Sequence, residues 1–396
     1  MGVNISYMGT KREIAPAVVD VMSSAQPGIA LDVFAGMCSV GEALFSSRQV
    51  WTNDVQKFAY EVATAIFTDC GSPDDRLAVS DRQFSGFELE KKRISDVFKN
   101  SLLLEEELLA CDNFVDFEEK YSLFKEVLIK DRSNFSGGEY SLFTTIYGDS
   151  YFGLAQAIEI DSIMASIDGA SVSPNQVRWL KIALGRAMLR VANSTGHFAQ
   201  FLKPKASSFR TFSRQRRRSV WEELLNSFEE MEPVGTREWR KANKSFNLDC
   251  LDLVPRLSKY KIRPSVIYAD PPYTDDQYSR FYHLLETLIL YDYPEVSGAG
   301  LYRADRFRTS FSLRTEAATA LDTLVAQVAS TGADMVLSYP TNGLVYEVGS
   351  DPLAIMRKHY RSVERCYAIS HKHSTFGASK GLAKSAVVEQ IFLGQL

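Results

Sequence analysis

The stretch "LDVFAGMCSVGEAL", residues 31–44, joins an apolar strand to a helix through a turn that bears glycine. The apolar run ends at Phe34-Ala35-Gly36, and helical periodicity is under way at Gly41. A turn of this composition lets the backbone approach a ligand closely at the carboxyl edge of a parallel sheet. The same glycines would also serve tight packing of helix on strand, and the stretch alone leaves both readings open. Working outward, "IALDVF" and "QVWTN" read as strands and "DVQKFAYEVATAIF" as a helix, so residues 29–69 form a βαβα unit of the doubly wound type. The second strand ends at Trp51-Thr52-Asn53-Asp54. A nucleoside-binding sheet of this kind carries an acid for the ribose hydroxyls about 20 residues beyond the turn. The loop has no Lys-Ser/Thr pair, which favours a nucleoside without a triphosphate.

Residues 248–393 return to the same style, with strand "SVIYA", helical "YSRFYHLLETLILYDY" and "TEAATALDTLVAQVAST", and strand "DMVLSY". Two late strands near "VERCYAIS" and "SAVVEQIFL" resemble a hairpin. Between the halves lie charged helical segments, "FELEKKRISDVFKNSLLLEEELL" and "SPNQVRWLKIALGRAMLRVAN", with few strand signals. The expected organisation is α/β: a doubly wound, Rossmann-like sheet domain from residues 1–69 and 246–396 with a terminal antiparallel hairpin strand. Residues 70–245 are expected to be an inserted, mainly helical region.

Composition narrows the class. With 396 residues and 45% hydrophobic content the chain can bury a large core. It lacks an apolar run of the ~20 residues that span a bilayer and a signal-peptide pattern, so a cytoplasmic location is expected. The five cysteines are scattered without CxxC or Cys/His spacing, which suggests neither a disulfide framework nor zinc; no metal is expected. A net charge of -4 conceals the basic run "LKPKASSFRTFSRQRRRSVW", residues 202–221. Lys203, Lys205, Arg210, Arg214, Arg216, Arg217 and Arg218 stand there among Phe209, Phe212 and Trp221, without an acid. That asymmetry suits one face meeting a polyanion, or merely a solvated surface.

The chemistry gathers at "YADPPYTDDQY", residues 268–278. The strand "SVIYA" delivers Asp270 to the same sheet edge as the Gly36 turn. Pro271 and Pro272 each fix φ and lack an N–H, so nearby carbonyls are left to accept from something else. A carboxylate, a free carbonyl and the Tyr273 ring held in one rigid patch suit a planar group bearing an amine.

With these motifs in order, the chain resembles the Dam-like (D12 class) S-adenosylmethionine-dependent DNA adenine-N6 methyltransferases. The match rests on "YMGTK" at 7–11, "DVFAGMCSVG" at 32–41, "NDV" at 53–55 and "DPPY" at 270–273. It is supported by "NLDCLDL" at 247–253, "VLSYPTNG" at 336–343, the terminal "SAVVEQIFL" and, in the middle, "NSTGHFAQFLKP" at 193–204. The resemblance implies a catalytic tetrapeptide Asp270, Pro271, Pro272 and Tyr273. It further implies cofactor contacts from Tyr7, from Lys11 to the methionine carboxylate, and from Asp32, Phe34 and Gly36 around the methionine part. Asp54 would take the ribose hydroxyls and Asp249 the adenine, although Asp249 also suits a helix N-cap; Asp270 completes the cofactor set. The family often has a second glycine where this chain has Cys38, so the loop conformation there is open.

The implied substrate is adenine flipped out of duplex DNA, with Asp270 and the Pro271 carbonyl accepting the two N6 hydrogens. His197 and the basic residues Lys203 to Arg218 would contact DNA, with His371, Lys372, His373 and Lys380 as a late basic loop. Tyr278, Phe281 and Tyr282 either line the base pocket or belong to the core. Expected partners are double-stranded DNA and a cognate restriction endonuclease or defence component. The acid of the tetrapeptide favours adenine over cytosine N4 and protein glutamine; RNA adenine and a non-catalytic DNA-binding specificity protein stay open as alternatives.

Overall fold

The computed structural model describes residues 11–68, 85–169, 172–372 and 386–396. The chain divides into two compact units. One comprises Met1–Cys70, Glu232–Phe281 and Arg306–Leu396; the other comprises Gly71–Met231 and Tyr282–Asp305.

The first unit is built on seven strands: β1 Ala30–Asp32, β2 Val50–Asn53, β3 Lys244–Phe246, β4 Val266–Ala269, β5 Asp334–Pro340, β6 Ser362–Lys372 and β7 Ala386–Gln395. Their spatial order is β3-β2-β1-β4-β5-β7-β6. The first five are mutually parallel, and β7 pairs antiparallel with both β5 and β6. Every residue of β1, β2, β4 and β5 is buried, as expected of parallel strands covered on both faces. Side chains alternate between two cores. Leu31, Ile267, Met335 and Leu337 face one, with the helix Ala317–Ser330; Ala30, Val50, Val266 and Val336 face the other, with the helix Ala15–Ser23.

The expected α/β sheet with a terminal antiparallel pair is therefore present, with two differences. Strand β3 was not anticipated, because "KSF" is too short and too polar to show alternation. The unit boundary falls at Glu232, and residues 282–305 group with the second unit instead of the sheet. Periodicity identified a helix there, observed at His283–Leu290, but periodicity cannot say which core a helix joins.

The second unit is mainly helical. The single charged helix expected at 87–109 is two, Ser85–Val97 and Lys99–Leu109, followed by the long helix Phe114–Asn134. Ile94, Phe98, Phe117, Phe124, Leu154, Phe209 and Phe212 share one apolar cluster. The helix Pro174–Val191 begins with a full capping box, in which Ser173 and Gln176 satisfy each other's backbone N–H groups. Residues 282–305 are fastened within this unit by Tyr291 Oη, which donates to Asp161 Oδ1 at 2.5 Å, and by Arg303, which is bidentate to Asp292 at 2.6 and 2.8 Å.

Candidate active site

In the sheet unit the carboxyl ends of β1, β2 and β4 open into one cleft, lined by Lys11, Asp32, Phe34, Gly36, Asp54, Asp270, Pro271, Pro272, Tyr273 and Tyr278 among others. Its empty volume is about 930 Å³ including the open mouth, within the usual range for a small-molecule site. A side recess is lined by Phe34, Asp54, Leu248, Asp249, Phe307 and Phe311.

The turn after β1 divides the work of its glycines. Gly36 has φ +47° and lines the cleft. Gly41 serves packing, since a Cβ there would lie 2.7 Å from the Phe67 ring. The packing reading of "LDVFAGMCSVGEAL" thus holds at Gly41, while Gly36 stands where the backbone lines the cleft. Cys38, where the family often has glycine, adopts φ +66° itself, fully buried at the start of the helix Ser39–Leu44. A side chain in that left-handed region costs roughly 1–2 kcal/mol.

The turn is held from β2. Asp54 Oδ2 accepts from Gly36 N and Oδ1 from Gln56 N, each at 2.9 Å. Asn53, which the sequence did not single out, ties three strand ends together. Its Nδ2 donates to Val33 O at 3.1 Å and Leu248 O at 3.0 Å, while its Oδ1 accepts from Leu248 N at 3.2 Å. Asn247 Nδ2 in turn donates to the carbonyls of Asp54 and Val55 at 2.8 and 2.9 Å. Asp249 caps the helix Cys250–Arg256 through Leu251 N at 2.9 Å, the N-cap role expected of it, and also borders the recess.

The tetrapeptide begins one residue after β4. Among the described residues no backbone N–H bonds to the Pro271 carbonyl, while the Tyr273 carbonyl accepts from Leu344 N at 2.9 Å. Tyr273 is buried and its hydroxyl is hydrogen-bonded to that of Tyr278. Farther along, Gln277 pairs both ways with the Thr309 backbone at 2.9 and 3.2 Å, and Ser279 Oγ donates to Phe307 O at 2.7 Å. Phe281 is buried in this unit, whereas Tyr282 belongs to the helical one; only Tyr278 of the three lines the cleft.

Lys11 is where the structure adds most. Its Nζ lies 3.1 Å from Asp270 Oδ1 and 2.9 Å from Glu389 Oε1, and 5.3 Å from the centre of the Tyr273 ring. The lysine expected to meet the methionine carboxylate is thus engaged by two protein acids, with a third N–H left over. Glu389 is the buried partner of Lys11 that the reading missed. Its signal was an acid inside the apolar strand "VVEQIFL", at a position now fully buried.

Electrostatics mark the site. Burial pushes the Asp32 carboxyl up to about 8, against the Phe34 N–H that draws it down. Burial likewise pushes Asp270 up to about 7; Lys11 restrains the rise and Glu389 adds to it. Burial alone would depress the Lys11 ammonium, but Asp270 and Glu389 outweigh it and hold it protonated. Strongly shifted acids around a cleft are characteristic of functional sites.

The sequence profile of the D12 class N6 adenine-specific DNA methyltransferases matches residues 7–135 and 192–333. The chain belongs to this family. Relatives of the D12 chain include the type II methyltransferase M.FokI of Planomicrobium okeanokoites, 25% identical over 382 residues, or 92% of this chain and 50% of the relative. The modification methylase StsI of Streptococcus sanguinis is 23% identical over 350 residues, 86% of this chain and 44% of the relative. The modification methylase LlaI of Lactococcus lactis subsp. lactis is 24% identical over 351 residues, 86% and 46%. The D12 chain spans about half the length of these relatives.

The remaining candidates in the D12 chain lie in the helical unit, and two need correction. Arg216 is not a phosphate contact. Its side chain is 1% exposed, with Nη1 3.0 Å from Asp149 and 3.7 Å from Glu105, and its guanidinium lies 4.1 Å from the Phe212 ring centre. His197 is also buried, its Nδ1 accepting from Ala199 N at 3.1 Å, so it shapes its own loop and does not face outward. Lys203, Lys205, Arg210, Arg214 and Arg217 are exposed. Arg218 is half-buried and paired with Glu223 at 2.6 Å. Tyr7, His373, Lys380 and the side chains of His371 and Lys372 lie outside the described residues. Among the described residues no helix is long and apolar enough to cross a membrane.

Proposed function

We propose that this chain transfers the methyl group of S-adenosylmethionine to the N6 amine of adenine at a defined sequence in duplex DNA, as the modification arm of a restriction or defence system. The observation that carries the reading is Asp270-Pro271-Pro272-Tyr273 sharing one cleft with Asp32, Phe34, Gly36 and Asp54. The printed names of the three relatives, one type II methyltransferase and two modification methylases, support it.

The lining fits the proposed cofactor by its chemistry. Phe34, Phe307 and Phe311 offer an apolar slot for a nucleobase, bordered by Asp54 and Asp249 for hydroxyls and ring N–H groups. The buried Asp32 and the half-buried Asp270 suit the positive charges of a sulfonium and an α-ammonium, and Lys11 retains a donor for a carboxylate. When bound, S-adenosylmethionine supplies an electrophilic methyl group and leaves as a neutral thioether.

The chain's own part is to prepare the amine. N6 is a poor nucleophile because its lone pair is delocalised into the ring, and in a duplex it is paired and stacked. Extruding the base costs a few kcal/mol, which stacking on Tyr273 and hydrogen bonding in the cleft offset. Asp270 and the Pro271 carbonyl accept the two N–H bonds, which localises the lone pair and fixes its direction. The surplus proton left on nitrogen after transfer departs by way of Asp270. Lys203, Lys205, Arg210, Arg214 and Arg217 supply phosphate contacts, and a cytoplasmic setting with a cognate endonuclease completes the proposal.

The test is transfer of tritium from labelled cofactor to unmethylated duplex DNA, followed by digestion to nucleosides. Label in N6-methyladenine is expected. Label at cytosine N4, in RNA or in protein, or a gel shift of DNA without any incorporation, would overturn the reading.

A further inference from the structure

Glu389 occupies a place that only an antiparallel strand could supply. The parallel strands deliver their last residues to the cleft, whereas β7 runs the other way and delivers an early one: Glu389 pairs with Pro340 at the end of β5. The residue is fully buried, and its Oε1 takes the Lys11 ammonium at 2.9 Å while the same ammonium reaches Asp270 Oδ1 at 3.1 Å. Two acidic side chains thus share one cation. Burying an acid in this way carries a desolvation penalty of several kcal/mol, and an apolar residue would pack β7 against β5 without it.

The geometry shows what the acid does for its neighbour. Lys11 touches Asp270 through Oδ1 alone, because the shorter contact to Glu389 holds it on the far strand. With no anchor, the ammonium would settle on Asp270, occupy its lone pairs and weaken it as an acceptor. We propose that Glu389 is a positioning residue for methyl transfer: it holds Lys11 on β7, so that the ammonium steadies Asp270 while leaving one carboxylate oxygen open to the substrate amine. The inference rests on the reaction proposed above.

The other groups with a stake in this charge balance are Asp32 at the end of β1, Asp54 beyond β2, Tyr268 on β4, and Tyr273 and Tyr278 after it. Glu389 also raises the Tyr268 and Tyr273 hydroxyls, so those two groups are followed alongside Asp270. Glu389→Gln keeps the shape and removes the charge. In ligand-free protein carrying 13C-labelled aspartate, the Asp270 carboxyl is assigned by its absence from the Asp270→Asn spectrum. Its titration midpoint is expected to fall by about one unit in Glu389→Gln, since repulsion is lost and Lys11 becomes undivided, and to rise in Lys11→Met. In the holoenzyme Glu389→Gln should lower kcat by about 10- to 100-fold, while the acid limb of the rate profile moves to lower pH. Glu389→Asp, which keeps the charge, should retain most of the wild-type profile, and it carries the test if the glutamine variant fails to fold.

An Asp270 midpoint and a pH–rate profile both unmoved in Glu389→Gln would overturn the proposal, as would a midpoint that rises. The spectroscopic arm needs neither DNA nor cofactor. A wild-type protein that methylates no DNA would therefore sink the reaction while leaving the Glu389–Lys11–Asp270 coupling to stand or fall by its own measurement.

Discussion

Each unit contains a buried cation between two carboxylates, and the two clusters do opposite jobs. In the sheet unit Lys11 lies between Asp270 and Glu389; in the helical unit Arg216 lies between Asp149 and Glu105. Burial raises the Glu105 carboxyl, but Arg216 and the N–H groups of Leu154 and Ala155 oppose the rise, and the Arg216 guanidinium also covers Phe212. Arg216 Nε and Nη2 are buried without a hydrogen-bond partner among the described residues, and that cluster borders a packed aromatic core. The Lys11 cluster borders a cleft, and Asp270 there keeps a raised carboxyl beside a Pro271 carbonyl that no backbone N–H of the described residues meets. A buried ion pair by itself therefore says little; what separates the two clusters is whether they border an open cleft or a packed core.

This contrast can be broken experimentally. The largest effect is expected from Asp270→Asn, which should reduce methyl transfer by at least about 100-fold, well beyond the loss of cofactor affinity measured by calorimetry. Retained activity would put Asp270 on the architectural side. Arg216→Ala should do the reverse: it strands Glu105 and Asp149 and costs about 3–5 kcal/mol in urea unfolding, with kcat per folded molecule nearly unchanged. A kcat loss without a stability loss would return Arg216 to the DNA-contact set.

Acid–base behaviour sharpens the comparison further. Asp270 must be ionised to accept both amine hydrogens, so kcat/KM should fall as pH drops below about 7. The sign for stability is opposite. Asp32 and Asp270 bind protons more tightly folded than unfolded, so between 3.8 and about 7 the folded state is favoured as pH falls and loses stability as pH rises. Asp270→Asn should flatten that slope in denaturant titrations at several pH values. The smallest effect belongs to the surface. Replacing Lys205, Arg214 and Arg217 with glutamine should weaken binding to all duplexes alike and reduce the salt slope by about one per contact removed. An unchanged slope would remove them from the interface.

Much of the site was legible because its chemistry sits in contiguous motifs. Gly36, Asp54 and Asp270 each end a strand, and the doubly wound pattern sends strand ends to one edge. Glu389 was not legible, since its role depends on β7 running antiparallel and no local pattern fixes strand direction. Asn53 and Asn247 escaped for a related reason: their partners lie nearly 200 residues away in the chain. Arg216 was misread although its phase was available. Phe209, Phe212 and Arg216 recur at helical spacing on the buried face, while Arg214 and Arg217 fall outside it. Counting charges along a run had obscured the helix on which they sit.

The staple between Gln277 and Thr309, reinforced by Ser279 and Phe307, has one more consequence. It pinches together the two points at which the chain leaves the sheet unit and comes back, so residues 282–305 issue from a closed neck. With its two ends already held together, a change in the length of the chain between them adds little loop-closure entropy.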